Sequence, residues 1–211
     1  MGDQTKSRRI DVVLFEDFEL LDVAGPLELY GALPEHFELS LVGPHAGPVR
    51  SAQGPELVAG HSYAEAPAAE TVMVPGGIGT RALTEDQSFL DWLATWAGQA
   101  SLVSSVCTGS ALLAAAGLLD GYRATSNKRS FAWVVAQGPK VQWVARARWV
   151  EDRDRWTSSG VAAGMDMTLA LIARLHGDEV AGRLADRVEY DWHREPGWDP
   201  FASLYGLEEE G

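Results

Sequence analysis

Short apolar runs punctuated by small or polar residues recur along the chain, and between them apolar positions return every three or four residues. Residues 10–15, 37–42, 71–74 and 102–106 are runs of the first kind, rich in Val, Leu and Phe, and predict buried strands. Residues 20–30 and 85–99 are of the second kind and predict helices, the latter with Phe89, Leu90, Trp92, Leu93 and Trp96 turned inward. Pro26 lies in the first of these and either starts its regular part or kinks it, because proline has no N–H to donate. Residues 44–61, with Gly43, Gly47, Gly54 and Gly60 around Val49, Leu57 and Val58, predict hairpin-like excursions. Later in the chain, 123–126 predicts a short strand leading into a helix over 127–137. Strands follow at 141–150 and 156–158, joined by the charged turn 151–155, and then helices at 161–176 and 178–192 that meet at Gly177.

Strands alternating with helices at this spacing predict a mainly parallel sheet covered on both faces: a three-layer α/β/α sandwich with a flavodoxin-like sheet, built as one domain over residues 1–211. Ligands collect at the carboxyl ends of such strands. Residues 1–8 read as a flexible start. Residues 196–211 read as a tail whose Trp198, Phe201 and Tyr205 pack on the body or on a second subunit, with Glu208 to Glu210 solvated.

Composition narrows the function without choosing it. With 46% hydrophobic and 22% charged residues the chain has the make-up of a globular domain, and 211 residues supply one sizeable core. A net charge of -13 argues against a nucleic-acid partner, which needs clustered Lys and Arg. The first nine residues are polar rather than signal-like, no apolar run is long enough for a membrane, and one cysteine makes no internal disulfide. A cytoplasmic protein with no membrane partner is expected.

That cysteine, Cys107, stands where the run 102–106 turns into the Ala- and Leu-rich stretch 111–119. A strand turning sharply into a helix exposes its corner residue beside backbone N–H donors and the positive end of the helix dipole. Such a position favours a thiolate and predicts a thiol that titrates below the ordinary value. A lone cysteine is otherwise a small buried hydrophobe. Asp22 is the carboxylate best placed to meet it if the first strand neighbours the strand before the elbow. Alternatively Asp22 is an exposed helix residue or a cap. An ionised Asp beside a thiolate disfavours both charges, so the two would share a proton and titrate as a unit. Gly76, Gly77, Ile78 and Gly79 follow the strand 71–74 and suggest a loop whose backbone approaches a ligand closely. Thr108 either offers its hydroxyl to a substrate or caps the helix. The five histidines show no metal-ligand spacing, and none lies in residues 108–137, where a base would be expected.

Taken together, Leu21-Asp-Val-Ala-Gly-Pro26, Val74-Pro-Gly-Gly77, Ser105-Val-Cys-Thr-Gly-Ser110, Arg123-Ala-Thr-Ser126 and the segment from Gly160 to Asp166 resemble the ThiJ/PfpI superfamily, whose fold is similar to that of class I glutamine amidotransferases. The first and third segments resemble its isonitrile hydratase branch. The resemblance implies a cysteine-dependent hydratase, without metal or organic cofactor, that converts a small-molecule isonitrile to an N-substituted formamide in a homodimer. It assigns Cys107 as nucleophile, Asp22 as acid/base partner and Thr108 as a substrate-orienting hydroxyl, with the loop from Gly76 to Gly79 and Asn127 lining the site. Asn127 stands where relatives often carry His, which disfavours routes through a Cys–His pair. A glyoxalase- or deglycase-like enzyme and a non-enzymatic redox sensor acting through Cys107 are the competing expectations.

Overall fold

The computed structural model describes residues 7–207. In its first half the elements are β1 (Arg8–Val13), α1 (Leu20–Gly31), β2 (Phe37–Gly43), β3 (Gly47–Arg50), β4 (Glu56–Ala59), β5 (His61–Ser62), a 3-10 turn at Tyr63–Glu65, β6 (Thr71–Val74), α2 (Thr80–Leu83) and α3 (Gln87–Ala97). In its second half they are β7 (Leu102–Ser105), α4 (Gly109–Ala115), β8 (Arg123–Ala124), α5 (Phe131–Gln137), β9 (Gln142–Trp143), β10 (Trp149–Asp152), β11 (Arg155–Ser158), α6 (Ala163–His176), α7 (Asp178–Arg187) and α8 (Phe201–Leu204).

Seven strands form one sheet in the order β10-β11-β7-β6-β1-β2-β5, parallel throughout except where β10 pairs antiparallel with β11. The run β2-β1-β6-β7-β11 is the 2-1-3-4-5 order of flavodoxin-like sheets. Register carries Val12 onto Met73, Met73 onto Ser104 and Ser104 onto Trp156. Every residue of β6, β7 and β11 is buried, as expected where helices cover both faces and polar alternation would have no water to meet. Helix α1 packs on α6, and α6 on α7; α4 packs on α2, α3 and α5. Strands β3 and β4 pair as the expected antiparallel hairpin.

Several boundaries differ from the sequence expectation, each for a local reason. Arg8 already pairs with Phe37 in the sheet, so the expected flexible start does not reach residue 8; residues 1–6, and the expected solvated Glu208 to Glu210, lie outside the described residues. The single strand expected over 141–150 is two strands, because Thr125 and Lys128 take the carbonyls between them. Thr125 Oγ1 donates to Val144 O at 2.8 Å, and Lys128 Nζ donates to Ala147 O at 2.5 Å. The helix expected to run to residue 192 stops at Arg187. Beyond it, Tyr190 Oη, the Trp192 indole and the His193 amide all turn to Asp166. The tail returns to the body, with Arg148 N donating to Pro196 O at 2.8 Å and Asp199 buried.

Candidate active site

Cys107 follows the end of β7 and precedes α4, and its φ of 57° is the left-handed backbone of a strand-to-helix corner. A non-glycine residue held there needs support from its surroundings. Its amide donates to Ser159 O at 3.1 Å. Its carbonyl accepts from Ser126 Oγ at 2.9 Å and Ser110 Oγ at 3.2 Å. The corner is therefore clamped from the segments after β7, β8 and β11. The side chain is 7% exposed.

Asp22 lies in the first turn of α1 and is fully buried. Four residues later Pro26 lacks the N–H that would bond the Asp22 carbonyl, which loosens this turn. Asp22 Oδ2 accepts from Gly76 N at 2.8 Å, while Oδ1 is buried without a conventional hydrogen-bond partner. The other polar contact of this carboxylate is the Cys107 thiol. Burial, with the charge of Glu19 adding to it, pushes the Asp22 carboxyl up to about 7, against the lowering effect of its bonds from Gly76 and the thiol. Burial and then the charge of Asp22 push the Cys107 thiol well above its ordinary value, opposed by hydrogen bonds from the Thr108 amide, the Val161 amide and the Thr108 hydroxyl.

This corrects the expectation of a depressed thiol. Helix α4 is only seven residues long, and the pull of its N-terminus is outweighed by a dry pocket with a carboxylate facing the sulfur. The coupling expected for the pair fits both shifts, since each group's charge disfavours the other's and joint ionisation is suppressed.

The glycine loop wraps the pair from above β6. A Cβ on Gly76 would stand 2.6 Å from Thr108 N and 2.8 Å from Cys107 Cβ, so only glycine lets this strand end approach the elbow. Gly77 N donates to Thr108 Oγ1 at 3.1 Å, and Thr80 Oγ1 reaches the same hydroxyl at 3.2 Å and Gly77 O at 2.7 Å.

A family model for DJ-1/PfpI matches residues 8–174, spanning the strands, the elbow and most of α6. The chain belongs to the DJ-1/PfpI family. It is similar to the isonitrile hydratase of Pseudomonas putida, at 35% identity over 86% of this chain and 78% of that protein. It is also similar to the HTH-type transcriptional regulator GbdR of Pseudomonas aeruginosa, at 32% identity over 86% of this chain but only 50% of the regulator. Among solved structures, a THiJ/PfpI family protein from Pseudomonas syringae superposes with a TM-score of 0.77 at 30% identity, covering 90% of this chain and 82% of that one. A cysteine-to-alanine mutant of a DJ-1 superfamily protein from Salmonella typhimurium superposes at 0.74 with 25% identity, over 88% of this chain and 100% of that one.

In this DJ-1/PfpI protein, Cys107, Asp22, Thr108, Gly76 and Gly77 come together as expected. The Thr108 hydroxyl is engaged with the glycine loop, so it positions that loop as well as facing the thiol. Ile78 is 63% exposed and stands outside the buried pair, and Gly79 packs against the Glu16 carbonyl rather than the cysteine. Asn127 accepts from Ser130 N at 3.0 Å through Oδ1, and its Nδ2 lies against Gly160, so its side chain holds the turn into α5 to the segment after β11. Val161, Ser159, Ser126 and Thr80 were not legible as site residues. Val161 and Ser159 act through backbone atoms, which leave no side-chain signature, although a β-branched residue at φ 30° marks Val161 once the backbone is seen.

Proposed function

We propose that this protein is a cysteine-dependent isonitrile hydratase, forming an N-substituted formamide through a covalent thioimidate on Cys107. The observation that carries this reading is the buried pair itself: a carboxyl pushed up to about 7 facing a thiol that burial and the carboxylate's charge also push up. A proton carrier near the working pH suits general acid–base catalysis, and a covalent intermediate divides one hard addition into two easier ones. Similarity to the Pseudomonas putida isonitrile hydratase supports the substrate class.

Isonitriles take both nucleophile and proton at the terminal carbon, which is what a thiolate beside a carboxylic acid offers. Sulfur bonds that carbon as Asp22 gives it a proton, leaving a thioimidate and an Asp22 carboxylate. Water adds to the same carbon, one of its protons reaching nitrogen through Asp22. Collapse of the tetrahedral adduct breaks the C–S bond, forms the formamide carbonyl and returns the hydroxyl proton to Asp22. The Thr108 and Val161 amides, already directed at sulfur, stabilise the thiolate as it departs.

The competing readings have less support. The groups acting on the thiol are Asp22, Thr108 and Val161, with no histidine among them, which counts against peptidase-like or glyoxalase-like use of a Cys–His pair. A redox sensor needs an accessible low-pKa thiol, whereas this one is buried and raised. Intact-mass measurement after brief exposure to a small isonitrile panel tests the proposal. A single adduct with the mass of the isonitrile on Cys107, with formamide accumulating in solution, is expected. Methylglyoxal turnover without isonitrile turnover would overturn it.

A further inference from the structure

The Cys107 corner is held by its amide and by its carbonyl, and both supports lead to one short segment. From the amide, a ladder of backbone bonds runs outward: Cys107 N donates to Ser159 O at 3.1 Å, Ser159 N to Arg148 O at 2.8 Å, and Arg148 N to Pro196 O at 2.8 Å. From the carbonyl, Ser126 Oγ leads into residues 125–128, where Lys128 Nζ and Thr125 Oγ1 donate to Ala147 O at 2.5 Å and 3.2 Å. One residue earlier, Arg146 O accepts from Asp199 N at 2.9 Å. Residues 146–148 thus carry the nucleophile's two supports on one side and the returning tail on the other. They lie between β9 and β10, outside any strand ladder, so these bonds set their position.

Two of the groups that hold this segment are charged and buried. Lys128 is 3% exposed and Asp199 2%. Burial pushes the Lys128 ammonium down to about 8, with the charge of Asp199 opposing that shift and the charge of Arg148 adding to it. Asp199 Oδ1 accepts from Phe201 N at 2.9 Å, whereas Oδ2 is buried without a hydrogen-bond partner. A carboxylate oxygen in that state is costly unless the field of a cation offsets it. Neither residue takes part in the Asp22–Cys107 chemistry. Apolar side chains in place of two buried charges are often neutral or stabilising, so the benefit of these two is to be sought in position rather than in stability.

We propose that Lys128 and Asp199 are positioning residues for Cys107. The ammonium fixes residues 146–148 from the side of the corner and the carboxylate fixes them from the side of the tail. The left-handed corner keeps its shape only while both are in place, which makes residues 196–199 a working part of the cysteine site. The inference goes beyond the hydratase reading and holds for any chemistry at Cys107.

Lys128→Met and Asp199→Asn test it, each read by two rates far below the thermal midpoint. Alkylation of Cys107 by iodoacetamide should become several-fold faster in both, because a corner that loses a support opens its buried thiol to reagent. Isonitrile hydration should slow by about ten- to 10²-fold, the scale of a small displacement at a reacting centre. The double variant should match either single one, since both residues act on one segment. A merely structural role would lower the midpoint and leave alkylation of the native protein at the wild-type rate, and that result overturns the proposal. So does multiplication of the two effects in the double variant. The same acceleration in Phe201→Asp with Leu204→Asp, which alters the outer face of α8 and leaves Asp199 in place, overturns it too. Should Lys128→Met fail to fold, Asp199→Asn decides alone, because it keeps an acceptor for Phe201 N. A wild type without isonitrile turnover would sink the hydratase reading, and the alkylation rates would still decide this one.

Discussion

On the proposed reading, Asp22 carries two roles that pull in opposite directions on stability and activity. Its folded value of about 7 lies above the 3.8 of a free carboxyl, so its contribution to stability is fullest below 3.8 and is lost as pH rises through about 7. Asp22→Asn keeps an oxygen to accept from Gly76 N and removes the buried charge. The variant should therefore be more stable than wild type above pH 7, by an amount on the order of a few kcal/mol, with the difference closing in acid. Urea unfolding at several pH values reads this directly. Hydration should fall by about 10²-fold or more in the same variant, the usual scale for losing a general acid. Its thiol should react faster with iodoacetamide at pH 8, because one of the two causes that raise it is gone. Slower alkylation would mean that the carboxylate activates the sulfur instead. At this scale the side chains were legible: Cys107 announced itself by its strand–helix corner and Asp22 by its apolar neighbours. The donors that tune them were not. The amides of Val161 and Thr108 are aimed by backbone geometry, and residue type says nothing of where an N–H points.

Among the elements, α6 contributes to the elbow's support, since the loop from Ser159 to Val161 that leads into it receives the Cys107 amide and faces its sulfur. A buried pair fixes this helix. Arg148 Nε donates to Asp166 Oδ2 at 2.7 Å, while Asp166 Oδ1 accepts from Tyr190 Oη at 3.0 Å and His193 N at 2.9 Å. Removing one partner of such a pair leaves an uncompensated charge in the interior. Arg148→Met should cost about 3–5 kcal/mol in denaturant unfolding and slow hydration through displacement of the α6 entrance. Arg148→Met with Asp166→Leu should recover most of the stability but not the rate. A double variant with wild-type turnover would show that α6 is placed by packing alone. The sheet was legible from its apolar runs, because strands buried on both faces tolerate little else. The breaks were not: β9 ends where Lys128 and Thr125 capture carbonyls, a tertiary event invisible in the local pattern.

For the whole molecule, the expected association rests on the last helix among the described residues. Trp198, Phe201, Leu204 and Tyr205 are exposed together around α8 while Asp199 and Ala202 beside them are buried, so the segment is anchored and presents its rings outward. We propose that this face meets a second copy. Light scattering at micromolar concentration should give twice the 22.8 kDa chain mass, and Phe201→Asp with Leu204→Asp should give the monomer with the cysteine site intact. A monomeric wild type removes the proposal. Among the described residues, no helix is long and apolar enough to cross a membrane.

The clamp on Cys107 has a consequence for synthesis. The elbow is translated well before Ser159 and Val161, so a growing chain holds the cysteine but lacks the acceptor for its amide and one of the donors to its sulfur. On the proposed reading, the thiol should reach its working environment only once β11 has been made and has docked beside β7. If the hydratase reading holds, adduct formation becomes a proof of completion: chains truncated before Ser159 should be unable to trap an isonitrile.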